Sequence, residues 1–188
     1  PVLRIDWAGG GFKSVDELKG RLAQMLDTWD GLYGVSSSGV TPGIRFLDMV
    51  PRIAEKKLEK VVVLVDEYDK PILDNIEKPE LAVAMRDALK DFYGVLKPLD
   101  PCLRFVLLTG VSKFAKTGNF SGLNNLDDIT ADSRFSAICG YTQTDLETVF
   151  AEWLPGLDKA MVREWYNGYA WCGETVYNPF DVLLLLEK

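Results

Sequence analysis

The chain has 188 residues, 47% of them hydrophobic, and its 21 lysines and arginines against 28 aspartates and glutamates leave a formal net charge of -7. That length and apolar content suit one globular domain burying roughly 70% of its unfolded surface, and the acidic balance argues against strong nucleic-acid binding, which needs a basic face. There is no histidine, so Ser-His and Cys-His nucleophile mechanisms are excluded and carboxylates, lysines and hydroxyls must carry any chemistry.

Cys102, Cys139 and Cys172 are widely spaced and odd in number, which favours reduced thiols in the cytoplasm over a disulfide framework or a zinc site. No apolar run approaches the roughly 20 residues that span a bilayer, and nothing resembles a signal peptide. The chain opens at Pro1 inside an apolar stretch and stops just after Leu183-Leu184-Leu185-Leu186, so a piece of a longer protein is expected.

Val2 to Trp7 is predicted to be a strand, broken by Gly9-Gly10-Gly11. Ser14 and Glu17 then have the spacing of a capping box. Val15, Leu18, Leu22, Met25, Leu26 and Trp29 follow at three- and four-residue steps, the stripe of a helix lying on a sheet. The Gly- and Ser-rich stretch 31–43 is a loop. Thr41-Pro42 supplies the N-cap and first-turn proline of a second helix, expected to turn Ile44, Leu47, Ile53 and Leu58 toward the next strand.

That strand is Val61-Val62-Val63-Leu64-Val65, followed at once by Asp66, Glu67, Tyr68 and Asp69. A short run of β-branched residues, uniformly apolar, predicts a parallel strand covered on both faces. Lys70-Pro71 limits its continuation. Pro79 opens a helix with Leu81, Met85, Ala88, Leu89, Phe92, Val95 and Leu96 at helical spacing, closed by Pro98 and Pro101. Leu103 to Leu108 is a second buried strand ending in Thr109-Gly110. Strand, helix, strand in this order describes right-handed crossovers and a parallel sheet. After the polar stretch 111–134, a helix from Thr142 to Phe150 is expected, capped by Thr142 or Thr144. The remainder is predicted to be helical, with Trp165, Tyr166, Tyr169, Trp171 and Tyr177 as the core of a small helical unit.

In open α/β sheets ligands bind outside the carboxyl ends of the strands, which is where Asp66 and Glu67 emerge. An apolar strand ending in Asp-Glu is the Walker B pattern, in which the Asp holds a magnesium shell and the Glu orients or deprotonates the attacking water. The same residues also suit a solvated acidic turn. Crowding of Asp66, Glu67 and Asp69 favours a cation or a lysine among them, with Lys70, Lys113 and Lys116 in reach. Thr109 fits either a sensor for a γ-phosphate or a turn. Lys113 and Lys116 suit phosphate contacts or solvent-facing charges alike. Gly9-Gly10-Gly11-Phe12-Lys13-Ser14 lies between strand and helix, but a phosphate loop needs glycines where Phe12 and Trp7 stand.

Four segments together, 61–76 (VVVLVDEYDKPILDNI), 104–130 (RFVLLTGVSKFAKTGNFSGLNNLDDIT), 138–147 (ICGYTQTDLE) and 165–185 (WYNGYAWCGETVYNPFDVLLL), resemble in order and spacing the AAA-ATPase-like domain of prokaryotic ATP-binding proteins. That family is related to the STAND branch of P-loop ATPases and is often fused to a PD-(D/E)XK nuclease-like domain. The resemblance implies an α/β parallel-sheet P-loop NTPase core over residues 1–141, lacking its first strand and its Walker A phosphate loop, and a small helical lid over 142–188. It implies ATP and magnesium as cofactors. Asp66 becomes the magnesium-shell acid, Glu67 the residue for the catalytic water and Thr109 the sensor, with Lys113 and Asp69 as further cofactor contacts. A homo-oligomer and a downstream nuclease-like domain are the implied partners, with no membrane. ATP hydrolysis as a conformational switch is the implied activity; a non-catalytic interaction module or a nucleic-acid-processing accessory are the alternatives.

Overall fold

The computed structural model describes residues 1–112, 123, 125–170 and 172–187, which form two compact units, Pro1–Leu126 and Asp127–Lys188. The first carries β1 (Val2–Asp6), α1 (Val15–Tyr33), α2 (Pro42–Lys57), β2 (Val61–Asp66), α3 (Lys70–Leu73), α4 (Pro79–Gly94) and β3 (Leu103–Leu108). Its sheet is three-stranded in the order β1-β2-β3, with both pairings parallel. The fold is therefore α/β, as the alternation of apolar runs and helical stripes predicts.

Both crossovers carry the chain in the same direction across the sheet, and right-handed connections of that kind leave their helices on one face. The burial pattern agrees. Leu3 pairs with Val63 and Ile5 with Val65, and these four lie in one core with Leu18, Leu22 and Leu26 of α1, Phe46 and Met49 of α2, and Met85 and Leu89 of α4. The neighbouring positions Val106 and Leu108 of β3 pack against the same core. Alternation sends the other set to the opposite face, in rows Val2–Val62–Phe105 and Arg4–Leu64–Leu107. None of those six residues belongs to the core, and Phe105 is 53% exposed.

This corrects two expectations. β2 is covered on one face rather than both, and β3 is a half-exposed edge strand rather than a buried one. A continuous apolar run signals that two faces are apolar, not that both are covered by the described residues. β3 also carries an extra residue at Arg104, since Val61 pairs with Leu103 but Val62 with Phe105; that bulge puts Phe105 and Leu107 on the open face.

The two sheet edges differ. At β1 the Tyr33 hydroxyl donates to the Val2 carbonyl at 2.7 Å and accepts from the Val2 N–H at 3.0 Å, plugging the edge against another strand. Among the described residues no strand pairs with the outer edge of β3, where alternation turns the backbone groups of Val106 and Leu108 outward.

Helix α1 starts where Ser14 accepts from the Glu17 N–H at 3.1 Å, but the Glu17 carboxylate reaches the Lys13 N–H rather than that of Ser14, so the capping box closes one residue early. In α2 the buried stripe is Gly43, Phe46, Met49, Val50 and Ile53. Ile44 and Leu47 are partly exposed and Leu58 is 90% exposed, as the left-handed residue that ends the helix. The expected face was rotated because α2 has two overlapping apolar stripes, and the wider aromatic one wins contact with Trp29 and Phe92. Gly43 eases the close approach there, since a Cβ would sit 3.0 Å from the Asp91 carbonyl oxygen.

The loop between α1 and α2 is pinned by Arg45, which pairs with Asp27 and Asp30 at 2.7 Å and donates through Nε to Ser37. Burial alone would raise the Asp30 carboxyl, but hydrogen bonds from Arg45 and Ser37 outweigh it and hold the group below its ordinary value. A depressed native value gives stability that is present above the unfolded carboxylate range and is lost as pH falls through the native value. The resistance of the wild type to urea is therefore expected to weaken as pH drops below about 4, and Arg45→Ala should both destabilise the protein at pH 7 and flatten this acid dependence. Equal acid slopes in the two proteins would contradict the assignment.

The second unit contains α5 (Gln143–Thr148), α6 (Lys159–Tyr166), β4 (Tyr169–Ala170), β5 (Thr175–Val176) and α7 (Pro179–Leu186). Thr142 and Asp145 form a full capping box, and Tyr141 bridges antiparallel to Tyr177. That bridge ties Tyr141 to this unit, which begins at Asp127 and includes an antiparallel hairpin as well as helices. Its core is Leu146, Leu154, Val162, Tyr177 and Val182. The aromatic set expected there divides: Tyr177 is buried and Tyr166 packs against the core, whereas Trp165 is 76% exposed and Tyr169 is exposed. Trp171 lies outside the described residues. Among the described residues no helix is long and apolar enough to cross a membrane.

Candidate functional site

The carboxyl ends of the three parallel strands bring Asp6, Asp66 and Thr109 into one row on the open face of the sheet. Asp6 pairs in register with Asp66, and Thr109 follows Leu108, the partner of Val65. The Thr109 N–H donates to the Val65 carbonyl at 2.8 Å, and its hydroxyl donates to Asp66 Oδ1 at 2.5 Å. The adjacency of β2 and β3 thus joins two residues distant in sequence. Asp66 is exposed, and its Oδ2 takes no hydrogen bond from the described residues.

Glu67 has a left-handed backbone, φ 55°, a conformation costing a non-glycine residue about 1–2 kcal/mol. The turn holds it there: the Tyr68 N–H donates to the Thr109 carbonyl at 2.8 Å on one side, and the Lys70 N–H to the Glu67 carbonyl at 2.9 Å on the other. Strain of this kind persists where surrounding contacts over-determine the chain, and it concentrates at functional turns. The Glu67 carboxylate accepts no hydrogen bond from the described residues and is half-buried.

Asp69, expected among the cofactor contacts, is only 1% exposed. Its Oδ2 accepts from the Val111 N–H at 3.2 Å, the Ser112 N–H at 2.7 Å and the Ser112 hydroxyl. Lys70 is engaged by Asp74 at 3.0 Å, which raises its ammonium above the ordinary value. Lys113 and Lys116 lie outside the described residues.

Beneath the turn runs a buried polar chain. Trp7 Nε1 donates to the Tyr93 hydroxyl at 2.8 Å, and that hydroxyl donates to the Tyr68 carbonyl at 3.3 Å. Burial pushes the Tyr93 phenol above its ordinary value, so it stays a neutral donor. The Tyr68 hydroxyl donates to the Ser112 carbonyl at 2.7 Å. Asn75, also buried, donates to the carbonyls of Phe12 at 2.8 Å and Pro71 at 3.0 Å, tying the turn after β1 to the end of α3.

Sequence reasoning singled out neither Asp6 nor Tyr93. The signal for Asp6 was present, since Val2 to Ile5, apolar except at Arg4, is also a strand ending in an acid. Its carboxylate caps the Ala8 N–H at 2.9 Å and pairs with Arg4 at 3.1 Å. Arg4 and Asp6, with Arg21, Gln24 and Thr28, line a shallow cleft on the outer side of β1, and β2 separates that strand from Thr109.

The donor set bears on which groups the site could hold. Among the described residues no cluster of three or more Asp, Glu, Cys or His side chains could hold a metal ion. Magnesium keeps several waters and takes one or two carboxylates together with phosphate oxygens. Asp66, exposed and half-bonded, fits such a role. The turn from Gly9 to Ser14 is drawn toward α3 by Asn75 and packs Phe12 edge-on against Trp7 at 5.4 Å; its sequence departs from the phosphate-loop pattern at Trp7 and Phe12.

The family model described as a predicted AAA-ATPase, AAA-ATPase-like, matches residues 1–120. A curated protein of Azotobacter chroococcum mcd 1, described as an uncharacterized protein in the vnfD 5' region, is 52% identical over all 188 residues. The chain spans 36% of that relative's length. No solved structure matches significantly.

Proposed function

Because this chain belongs to the predicted AAA-ATPase family, we propose that it supplies the Walker B half of a P-loop ATP site in a longer protein, whose hydrolysis of ATP with magnesium drives a conformational switch. The observation that carries the reading is the row at the strand ends, where an exposed Asp66 receives a 2.5 Å hydrogen bond from Thr109 beside the strained Glu67.

Asp66 would hold a magnesium shell, largely through water, and Thr109 would orient that carboxylate and sense the terminal phosphate. When bound, magnesium neutralises charge building on the transferred phosphoryl group. Glu67 would accept a proton from the attacking water, its left-handed backbone keeping the carboxylate clear of the strand's own hydrogen bonds.

The complementary half of the site would come from outside these 188 residues. A phosphate-binding strand, loop and helix would add the strand to the open edge of β3 and lay the helix over Val62, Leu64, Phe105 and Leu107. Three features favour that placement: a β3 edge and an adjoining apolar face that are open among the described residues, and the Tyr33 plug that closes the opposite edge. The order β1-β2-β3 leaves the added strand next to Thr109, with its loop facing Asp66. Lys113 would contact phosphate or a neighbouring subunit. The same open edge would serve pairing between copies in a homo-oligomer, and a downstream nuclease-like domain would read the switch.

The experiment is magnesium-dependent ATP turnover by the full-length protein, with and without Glu67→Gln. Turnover that depends on Glu67 supports the proposal. Nucleotide binding without turnover in the wild type would favour a non-catalytic interaction module instead.

A further inference from the structure

Asp69 and Ser112 stand behind the row at the strand ends, not in it, yet most contacts between the turn after β2 and the turn after β3 pass through them. One carboxylate oxygen of Asp69 gathers both N–H groups of Val111 and Ser112 and the Ser112 hydroxyl. The Ser112 carbonyl takes the Tyr68 hydroxyl at 2.7 Å, and the Thr109 carbonyl takes the Tyr68 N–H at 2.8 Å. Gly110 makes the approach possible. A Cβ there would lie 2.6 Å from both Asp69 Oδ1 and the Tyr68 ring, closer than side-chain atoms tolerate.

We propose that Asp69 and Ser112 form a positioning clamp that fuses the Asp66–Asp69 turn to the Thr109–Ser112 turn, fixing the spacing between Glu67 and Thr109. Neither residue touches substrate; they act through the two that do. The inference rests on the ATPase reading above, and deepens it by adding residues that set the geometry of the reacting water. Its physical basis is the cost of misplacement: a shift of about 1 Å in a reacting group lowers a rate by about 100-fold while leaving ground-state binding largely intact. A buried carboxylate serving three donors is stiff, because losing any one donor leaves charge uncompensated. Tyr68, on the carboxyl side of the left-handed Glu67, is itself held at its N–H by Thr109, at its hydroxyl by Ser112 and at its carbonyl by Tyr93.

The test uses the full-length protein and separates turnover from binding. Ser112→Ala removes one hydroxyl from the clamp and is expected to lower kcat by about 10- to 100-fold with the dissociation constant for Mg–ATP changed less than about threefold. Ser112→Thr, which keeps the hydroxyl, should restore kcat to within about threefold of wild type. Asp69→Asn should lose more kcat than Ser112→Ala, and if that variant does not fold the serine pair still decides. A kcat unchanged in Ser112→Ala, or lowered equally by alanine and threonine, overturns the clamp. If Glu67→Gln abolishes turnover while Ser112→Ala does not, the clamp fails and the ATPase reading stands; if the wild type has no turnover at all, both fail.

Discussion

Glu67→Gln is expected to lower ATP turnover by the full-length protein about 100- to 1,000-fold, within the range for loss of a positioned general base, with Mg–ATP affinity held within about threefold of wild type. Glutamine keeps the size of the side chain and its hydrogen-bonding oxygen but cannot take a proton from water. Glutamine, like glutamate, meets the ordinary side-chain cost of the left-handed backbone at this position, so the swap isolates the chemistry. Single-turnover and steady-state rates measured together would separate loss of the hydrolytic step from slow product release. A variant whose turnover stays within about threefold of wild type would remove Glu67 from the mechanism, because a general base cannot be replaced so cheaply.

The second large effect concerns the open face of the sheet. Phe105→Asp in the full-length protein is expected to cost about 2–4 kcal/mol of unfolding free energy, the penalty for placing an unpaired charge beneath a packed helix. In the 188 residues Phe105 is 53% exposed, and were that exposure to persist in the longer protein the same change would fall within about 0.5 kcal/mol. Urea denaturation of both proteins at one pH distinguishes the cases. A small effect would mean that nothing docks on the row Val2–Val62–Phe105, and the proposed place for the complementary half of the site would be lost with it.

Much of this arrangement was legible in the residues. Largely apolar runs ending in Asp66 and Thr109 predict neighbouring parallel strands, and once the strands are neighbours their carboxyl ends meet. What sequence could not fix was coverage. Val61 to Val65 look alike on both faces, so nothing local distinguishes the face under α1, α2 and α4 from the face left open; that is settled by the direction in which both crossovers run. The face of α2 was misjudged for a related reason, as Ile44 and Leu47 are apolar but the aromatic contacts of Phe46 with Trp29 and Phe92 set the rotation. Asp69 illustrates the limit for charged groups: its spacing from Asp66 suggests a ligand, whereas its burial beneath Val111 and Ser112 depends on a loop more than forty positions away. Tyr93 was hidden because a tyrosine on an apolar helix stripe gives no sign of its partner, Trp7, at the far end of the sequence.

Two of the left-handed residues, Leu58 and Glu67, differ in role. At Leu58 the conformation ends a helix on the surface, where the capping N–H reaches the Ala54 and Glu55 carbonyls and a glycine would serve better. At Glu67 it sits between two turns that hydrogen bonds lock together, next to the exposed carboxylate of the row. The same backbone cost is incidental in the first place and tied to geometry in the second.

The account depends most on Asp66 as the residue that answers to magnesium. Asp66→Asn preserves the oxygen that receives the Thr109 hydroxyl and removes the charge, so binding of a non-hydrolysable ATP analogue to the full-length protein, with magnesium and with chelator, reads that role alone. The wild type should bind at least about 10-fold more tightly with magnesium, and the variant should lose most of that difference. An Asp66→Asn protein that keeps the whole magnesium dependence would contradict the account.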